Sequence, residues 1–354
     1  MKVRSAPAWP AHIERQLAKL TPDQAQMFGD LYQSTRRLEK WRGAERFGAK
    51  EALERLLVNG TLTRKPDSQG HTLLENLVEM QTDPSIGKTY RRDLMGWTLA
   101  HLAFPKQSFN QVPDKGTCAP TVLAYDLALD APAEFVRLVD GLAGHEREVA
   151  MANGEMLHRA AGSLQNGSRD GSPVERMLQA SLMGFARPED RYSLAEDAFE
   201  AGEDTGLEPA QVVRLVGALT GHPVETRQVD LDDLRALVKT TNGRAPTVIR
   251  WSSDPEGKHS YHMVMVTSVS GEHVYYRNPW GNRGDDDETL EGAREVFKNG
   301  FERMSLGEFE GRLAWAVLPA GWTAPPFEPL LLTDPVKPEP SRGFFGRLWD
   351  SLFG

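Results

Sequence analysis

Cys118 is the residue of this chain best suited to nucleophilic chemistry. It is the single cysteine of the 354 residues and stands in GTCAPTVLAYDLALD, where apolar residues recur at helical spacing directly after it. A thiol at the start of a helix faces unpaired backbone N–H groups and the positive end of the helix dipole, which favour the thiolate. The sequence therefore predicts a nucleophilic thiol at Cys118, the alternative being a small, buried and inert side chain.

A histidine and an asparagine that could serve this thiol lie together in HSYHMVMVTSVSGEHVYYRNPWGN, residues 259–282. The stretch predicts a β-hairpin with its turn near Gly271. His262 begins the apolar run of the first strand, and Asn278 follows the return strand, so the hairpin brings the two side chains side by side. The Asn278 carboxamide can then orient the imidazole, and Trp280 can shield that hydrogen bond from water.

Two other interpretations of nearby residues are weaker. His259 is the rival base, but it precedes the apolar run and is expected to face solvent. It could share a metal with His262, yet no acidic or thiolate ligand stands at a fixed spacing from them, so we predict no metal and no cofactor. The acidic run at residues 285–288 could hold a cation, although a solvated loop is the favoured interpretation.

Composition limits the classes of function. A formal net charge of −9 argues against nucleic acid as the main partner. No apolar run approaches the roughly 18 residues that a membrane-spanning helix needs, and the N-terminus lacks the apolar stretch of a secretory signal. We expect a cytoplasmic protein, or one that is exported without a cleavable signal peptide.

The order of predicted elements favours an α+β fold, with helices first and strands later. Helices are predicted through residues 1–103, at 118–130, 131–144, 172–186, 208–221, 230–240 and 305–313. Hairpins are predicted at 146–160 and 259–282, and further strands at 224–229, 245–253 and 314–319.

The end of the chain has a different composition. Residues 319–341 contain seven prolines, which predicts an extended linker. Residues 342–354, RGFFGRLWDSLFG, place six apolar side chains on one face of a short helix. Such a helix could dock on its own core, in a partner's groove or on a membrane surface.

The order Cys118, His262, Asn278 resembles that of the papain-fold cysteine peptidases. RNPWG at 277–281 is similar to the motif that carries the asparagine in calpain-like catalytic cores, YHMVMV to the segment around their histidine, and FERMSLGEFEGRL to the end of their core. The resemblance covers residues 104–318. It implies a papain-like fold with a helical half and a strand-rich half, a Cys-His-Asn triad, and endopeptidase activity on proteins or peptides through a thioester.

The resemblance also leaves alternatives open. The family usually has an aromatic residue after the nucleophile, where Ala119 stands here, and an oxyanion-binding glutamine six residues before it, for which the candidate is Gln111, seven residues before. No match to the calcium-binding loops of animal calpains is present. Transglutaminases and glutamine deamidases share such a site, usually with an aspartate as third member, and an inactive binding module could retain the fold. By family analogy residues 1–103 could be regulatory, although a structural addition is equally expected.

Overall fold

The structure is a computed structural model, and it describes residues 9–35, 48–164, 171–190, 192–194, 197, 206–253, 259–281 and 294–325. Residues up to Trp322 belong to one compact unit, and a second unit begins at Thr323, of which residues 323–325 are described. The predicted C-terminal helix at 342–354, most of the predicted linker and the acidic run at 285–288 lie outside the described residues.

Helices make up the first half of the described chain and recur in the second half. In chain order they are α1 (Ala11–Leu17), α2 (Pro22–Thr35), α3 (Ala49–Val58), α4 (Thr61–Arg64), α5 (Leu73–Thr82), α6 (Lys88–Ala103), α7 (Pro105–Ser108), α8 (Cys118–Asp130), α9 (Pro132–Ala143), α10 (Pro173–Ala186), α11 (Pro209–Thr220), α12 (Leu231–Thr240) and α13 (Leu306–Arg312). The helices predicted at 118–144, 172–186, 208–221, 230–240 and 305–313 are thus confirmed. Capping boxes begin α5 at Thr72 and α10 at Ser172, where each side chain accepts a hydrogen bond from the third helical residue.

The strands form a small hairpin and one larger sheet. They are β1 (Glu148–Ala150), β2 (Met156–His158), β3 (Val224–Arg227), β4 (Ala245–Ser253), β5 (His259–Val269), β6 (His273–Arg277), β7 (Arg294–Val296), β8 (Phe301–Ser305) and β9 (Leu313–Pro319). β1 pairs with β2, and the described residues of the other strands form an antiparallel sheet in the order β3-β9-β4-β5-β6-β8-β7. The described chain is therefore a mixed α+β structure with a helical half and an antiparallel sheet.

Two strands are absent from the sequence-based prediction, and the predicted strand at 314–319 overlaps the predicted linker at residue 319. β7 and β8 are not predicted from the sequence, because FERMS carries a charged residue at a position that the structure buries. Composition also places the start of the linker at residue 319. In the structure β9 includes Pro319, which stands opposite Val224 of β3, and a proline can close a strand that it could not continue.

The middle of the central strand β5, from His262 to Val266, is buried on both faces. Met263 and Met265 join the core that the helices form, whereas Val264 and Val266 join a second core between the sheet and α12. Alternate residues of a strand point to opposite faces, which explains why the run MVMV is apolar throughout. The helical core includes residues of α3, α5 and α6 together with α8, so the helices before residue 103 share a core with the helix of Cys118.

Two arginines join the helical half to the sheet. Arg244, just before β4, donates to Asp126 at 2.7 Å and to Asp130, both near the end of α8. Arg277, at the end of β6, is buried; it donates to the carbonyl oxygen of Phe109, and its guanidinium lies 4.7 Å from the ring centre of Tyr125 in α8. These contacts hold the second half of α8 against the sheet, at the start of β4 and the end of β6.

His101 of α6 makes the stability of the fold dependent on pH. Its ring is fully buried, with Nδ1 3.1 Å from the Ser108 hydroxyl and Nε2 3.2 Å from the Ser172 hydroxyl. Burial, aided by the positive charge of Arg277, lowers the pKa of His101 to about 3. The unfolded chain, in which a histidine has a pKa near ~6.5, takes up this proton first, so acid favours unfolding.

We therefore predict that His101 contributes its full stabilisation above about pH 6.5 and progressively loses it as the pH falls towards 3. Each unit of pKa difference is worth about 1.4 kcal/mol, so the loss amounts to several kcal/mol. Urea unfolding of the wild type and of His101→Gln at several pH values measures it. The variant should be less sensitive to acid over this window; an identical pH dependence in the two proteins would contradict the prediction.

Candidate active site

Cys118 is the first residue of α8, as the sequence predicts, and 9% of it is exposed. The preceding residue, Thr117, turns its hydroxyl away from the helix and donates to Gln179 of α10 at 2.8 Å. Thr117 therefore does not cap α8 with its side chain. The positive end of the α8 dipole favours a negative charge beside Cys118.

The loop before Cys118 is held by buried side chains of α10. The Glu175 carboxylate accepts from the backbone N–H of Asn110 at 2.6 Å. Gln179 accepts from the N–H of Val112 at 3.0 Å and donates to the carbonyl of Asn110 at 2.8 Å. Because α10 packs against α8, these hydrogen bonds hold the loop in a fixed position relative to the helix that begins with Cys118.

His262 lies on β5 opposite Ile249 of β4, and only 4% of it is exposed. Its Nε2 is 2.9 Å from Oδ1 of Asn278, the hydrogen bond that the hairpin predicts. A carboxamide oxygen can only accept, so Nε2 carries the proton and Nδ1 is the basic nitrogen of the neutral ring. This arrangement makes Nδ1 the nitrogen that can take a proton from a thiol.

Asn278 is held by hydrogen bonds of both its side chain and its backbone. Besides that from His262, its Oδ1 accepts from the backbone N–H of Trp280 at 3.0 Å. Its own N–H donates to the carbonyl of Gly300 at 2.7 Å, and its Nδ2 donates to Glu302 of β8 at 2.9 Å. Asn278 is completely buried, so its carboxamide is fixed in place and in orientation.

Two glycines allow the chain to pass close to Asn278. Gly300 has a φ of +73°, and a Cβ there would lie 2.6 Å from the Asn278 carbonyl oxygen. Gly281, the last residue of RNPWG, has a φ of +63°, and a Cβ there would lie 1.9 Å from Oδ1 of Asn110. Both positions therefore require glycine for conformation and for space.

Two indole rings flank the imidazole. The Trp280 ring centre is 4.6 Å from that of His262, in agreement with the predicted shielding of the hydrogen bond. Trp251 of β4 meets the same imidazole edge-on at 4.8 Å and lies 5.0 Å from Trp280. The sequence does not single out Trp251, because its place beside His262 depends on the pairing of β4 with β5.

Cys118 and His262 line the same cleft, of about 570 Å³. Apolar side chains of Leu207, Met263 and Trp315 form part of its wall. The structure thus brings the predicted nucleophile and base to one cavity, with Asn278 directly behind the base. Such a volume lies within the range of small-molecule and peptide side-chain sites, about 300–1,000 Å³.

Gln111 occupies a different position from the other predicted site residues. It is not among the described residues that line the cleft. Its backbone N–H donates to the carbonyl of Pro279 at 2.7 Å, and its side-chain Nε2 donates to the carbonyl of Lys115. Gln111 therefore links the loop before Cys118 to the turn after Asn278.

Within the described part of the chain, no residue before Cys118 lines the cleft. No three His, Cys, Asp or Glu side chains in the same described part converge as metal ligands do. A search of the described helices likewise finds none whose length and apolar character would suit a membrane crossing.

No protein-family model matches the chain, and the comparison with curated proteins finds none that is significantly similar. The site geometry is therefore the basis for assigning a function.

Proposed function

We propose that this protein is a cysteine peptidase of the papain-like type, with Cys118 as nucleophile, His262 as general acid and base, and Asn278 as the residue that orients the imidazole. The hydrogen bond of 2.9 Å between His262 Nε2 and Asn278 Oδ1 carries the proposal, because it presents Nδ1 as a base in the cleft that Cys118 also lines. The same bond fixes the tautomer of a histidine that lines one cleft with a thiol.

In the first half of the reaction, His262 Nδ1 takes the thiol proton and the Cys118 thiolate attacks the carbonyl carbon of the scissile amide. The negative charge then develops on the carbonyl oxygen, close to the backbone N–H groups at the start of α8. When the tetrahedral intermediate collapses, the C–N bond breaks and Nδ1–H protonates the leaving amine. The acyl group remains on sulfur as a thioester.

In the second half, His262 acts as a base towards water. Nδ1 takes a proton from water as the water oxygen bonds to the acyl carbon. The C–S bond then breaks, the carboxylic acid leaves, and the proton on Nδ1 returns to the Cys118 sulfur. Nε2 stays bonded to Asn278 through both halves, so the ring need not rotate between them. Trp251 and Trp280 restrict the access of water to that bond without closing the Cys118 side of the ring.

The oxyanion site is best assigned to the backbone. The N–H of Cys118 belongs to the first residue of α8, and the adjacent Ala119 also lines the cleft. The position of Gln111 supports a different role, which is to tie the loop before Cys118 to the Asn278 turn. A second, side-chain oxyanion donor is not part of this proposal.

Digestion of a peptide library by the full chain, with products identified by mass spectrometry, tests the proposal. We expect scission of peptide bonds, and we expect prior alkylation with iodoacetamide to stop it. Labelling of Cys118 should be rapid near pH 6, which a free thiol with a pKa of about 8.5 does not allow. The control is the same chain incubated without iodoacetamide through the same steps.

Other outcomes would contradict the peptidase assignment in distinct ways. A mass gain of about one dalton without scission would indicate a glutamine deamidase, and an amine cross-link would indicate a transglutaminase. Asn278 in place of an aspartate favours the peptidase over both. An absence of turnover together with labelling only above about pH 8 would indicate a binding module.

A further inference from the structure

Glu302 is a buried carboxylate directly behind the predicted triad. It lies on β8, is 1% exposed, and accepts a hydrogen bond from Asn278 Nδ2 at 2.9 Å. We propose that Glu302 is a positioning residue of this site, which fixes the Asn278 carboxamide with its oxygen towards His262. The inference rests on the proposed function of Cys118 and His262.

The argument begins with the two ends of a carboxamide. They have nearly the same shape, so packing alone does not decide which end faces the imidazole. An ionised carboxylate has acceptors only, and beside Asn278 it selects the NH₂ end. The oxygen end then faces His262 and the N–H of Trp280, which both donate. Every polar group around the carboxamide is thus complementary to one orientation.

Arg294 is the ion-pair partner that favours the charged form of this carboxylate. Its guanidinium is 2.5 Å from Glu302 Oε1, and the side chains are 3% and 0% exposed. Burial raises the pKa of Glu302, while the charge of Arg294 and the hydrogen bond from Asn278 oppose the rise. A buried carboxylate is stable only when it is paired and hydrogen-bonded in this way.

The same arginine also contacts the aromatic wall. The Arg294 guanidinium lies 5.3 Å from the ring centre of Trp251, and Trp251 meets the His262 imidazole. Glu302 is therefore linked to His262 by two sets of contacts. One runs through the Asn278 carboxamide, and the other runs through Arg294 and Trp251. β7 and β8 supply both charged residues, which gives these two strands a role in the site.

The orientation matters most when the imidazole is protonated. A thiolate–imidazolium pair needs N–H groups on both ring nitrogens, one towards sulfur and one towards an acceptor. Asn278 Oδ1 provides that acceptor. If the carboxamide turned over, its NH₂ group would oppose the Nε2–H, and formation of the thiolate would move to higher pH. A change in the pH profile is therefore the signature of lost positioning, whereas a purely structural loss would lower stability alone.

The first variant to test is Glu302→Gln, which keeps the shape but presents an amide that can donate as well as accept. We expect kcat/KM on a cleaved peptide to fall by about 10- to 100-fold, the range found when an outer partner of a functional imidazole is removed. The pH at which iodoacetamide labels Cys118 half-maximally should rise. Glu295→Gln is the matched control, because Glu295 is an exposed carboxylate on β7 that pairs with Arg303.

A charge exchange tests the complementarity itself. Asn278→Asp places two buried carboxylates face to face and should lose more activity than Glu302→Gln. The double variant Asn278→Asp with Glu302→Gln restores a donor facing an acceptor, and we expect at least about tenfold recovery over Asn278→Asp alone, as coupling between groups in contact implies. If Glu302→Gln fails to fold, Glu302→Asp replaces it, because the shorter side chain keeps a charge for Arg294 but withdraws it from Asn278. A labelling profile of Cys118 that moves to higher pH supports the positioning role, and an unchanged profile contradicts it.

The outcomes separate this proposal from the proposed function. Equal labelling profiles and kcat/KM for Glu302→Gln and Glu295→Gln, with cleavage intact, would overturn the positioning role and leave the peptidase standing. A labelling profile that depends on Glu302 in a chain that cleaves no peptide would support the positioning role and remove the peptidase. Labelling of the wild type only above about pH 8 would overturn both.

Discussion

Replacement of Cys118 by alanine is expected to abolish turnover and leave the fold intact. The sulfur is the only atom lost, and no other side chain of the described cleft can form a thioester. Because the members of a catalytic triad act as a unit, loss of the nucleophile should lower kcat by about 10⁵-fold or more. Cleavage of a peptide substrate, followed beside the thermal melting curve, measures both parts of the prediction.

Cys118→Ser is the companion variant, since it keeps the volume of the side chain. An imidazole poised for a thiol activates a hydroxyl poorly, because the alcohol is by far the weaker acid. We expect the serine variant to be nearly as inactive as the alanine variant and to melt at the wild-type temperature. Turnover that survives in Cys118→Ala would show that another group is the nucleophile.

The second large effect is expected for His262→Ala. Without the imidazole, the leaving amine has no general acid and the attacking water has no base, each worth about 10²- to 10⁴-fold. Labelling of Cys118 by iodoacetamide near pH 6 should also slow, because the thiolate loses its cationic partner. Asn278 still accepts from the N–H of Trp280, so the turn that carries it should persist. Peptide cleavage and labelling rates measure the two losses.

His273→Ala provides the control for this prediction. His273 stands on β6 of the same hairpin, beside Tyr275 and away from the cleft. It should retain wild-type cleavage and labelling. If His262→Ala were labelled near pH 6 as fast as the wild type, the imidazole would have no part in forming the thiolate, and His262 would be a structural residue.

The sequence predicts the part of the site that local chain geometry determines. A helix that begins at Cys118 follows from apolar spacing, and the meeting of His262 with Asn278 follows from a hairpin with its turn near Gly271. In both cases the residues that form the sequence pattern lie close in the chain to the feature that the pattern predicts. The meeting of the helix with the hairpin requires pairing across more than 140 residues, and there the order of residues in a known family supplied the expectation.

The residues that sequence reasoning missed depend on strand pairing over longer distances. Glu302 faces Asn278 because β8 pairs with β6, where Tyr276 stands opposite Glu302. A glutamate in FERMS gives no sign that it is buried, since its partner Arg294 stands on another strand. For Gln111, the sequence gives only its spacing from Cys118, whereas the structure shows its side-chain N–H bonded to the Lys115 carbonyl.

The predicted base His262 and the rim of the cleft belong to different segments of the chain, with His262 on the central strand β5. Among the described strands, three lie on either side of it, so His262 lies where the backbone has least freedom to shift. The rim of the cleft comes from other segments, around residues 206–209 and 313–315. In the proposed peptidase, substitutions at that rim would change which peptides bind while Cys118, His262 and Asn278 keep their alignment.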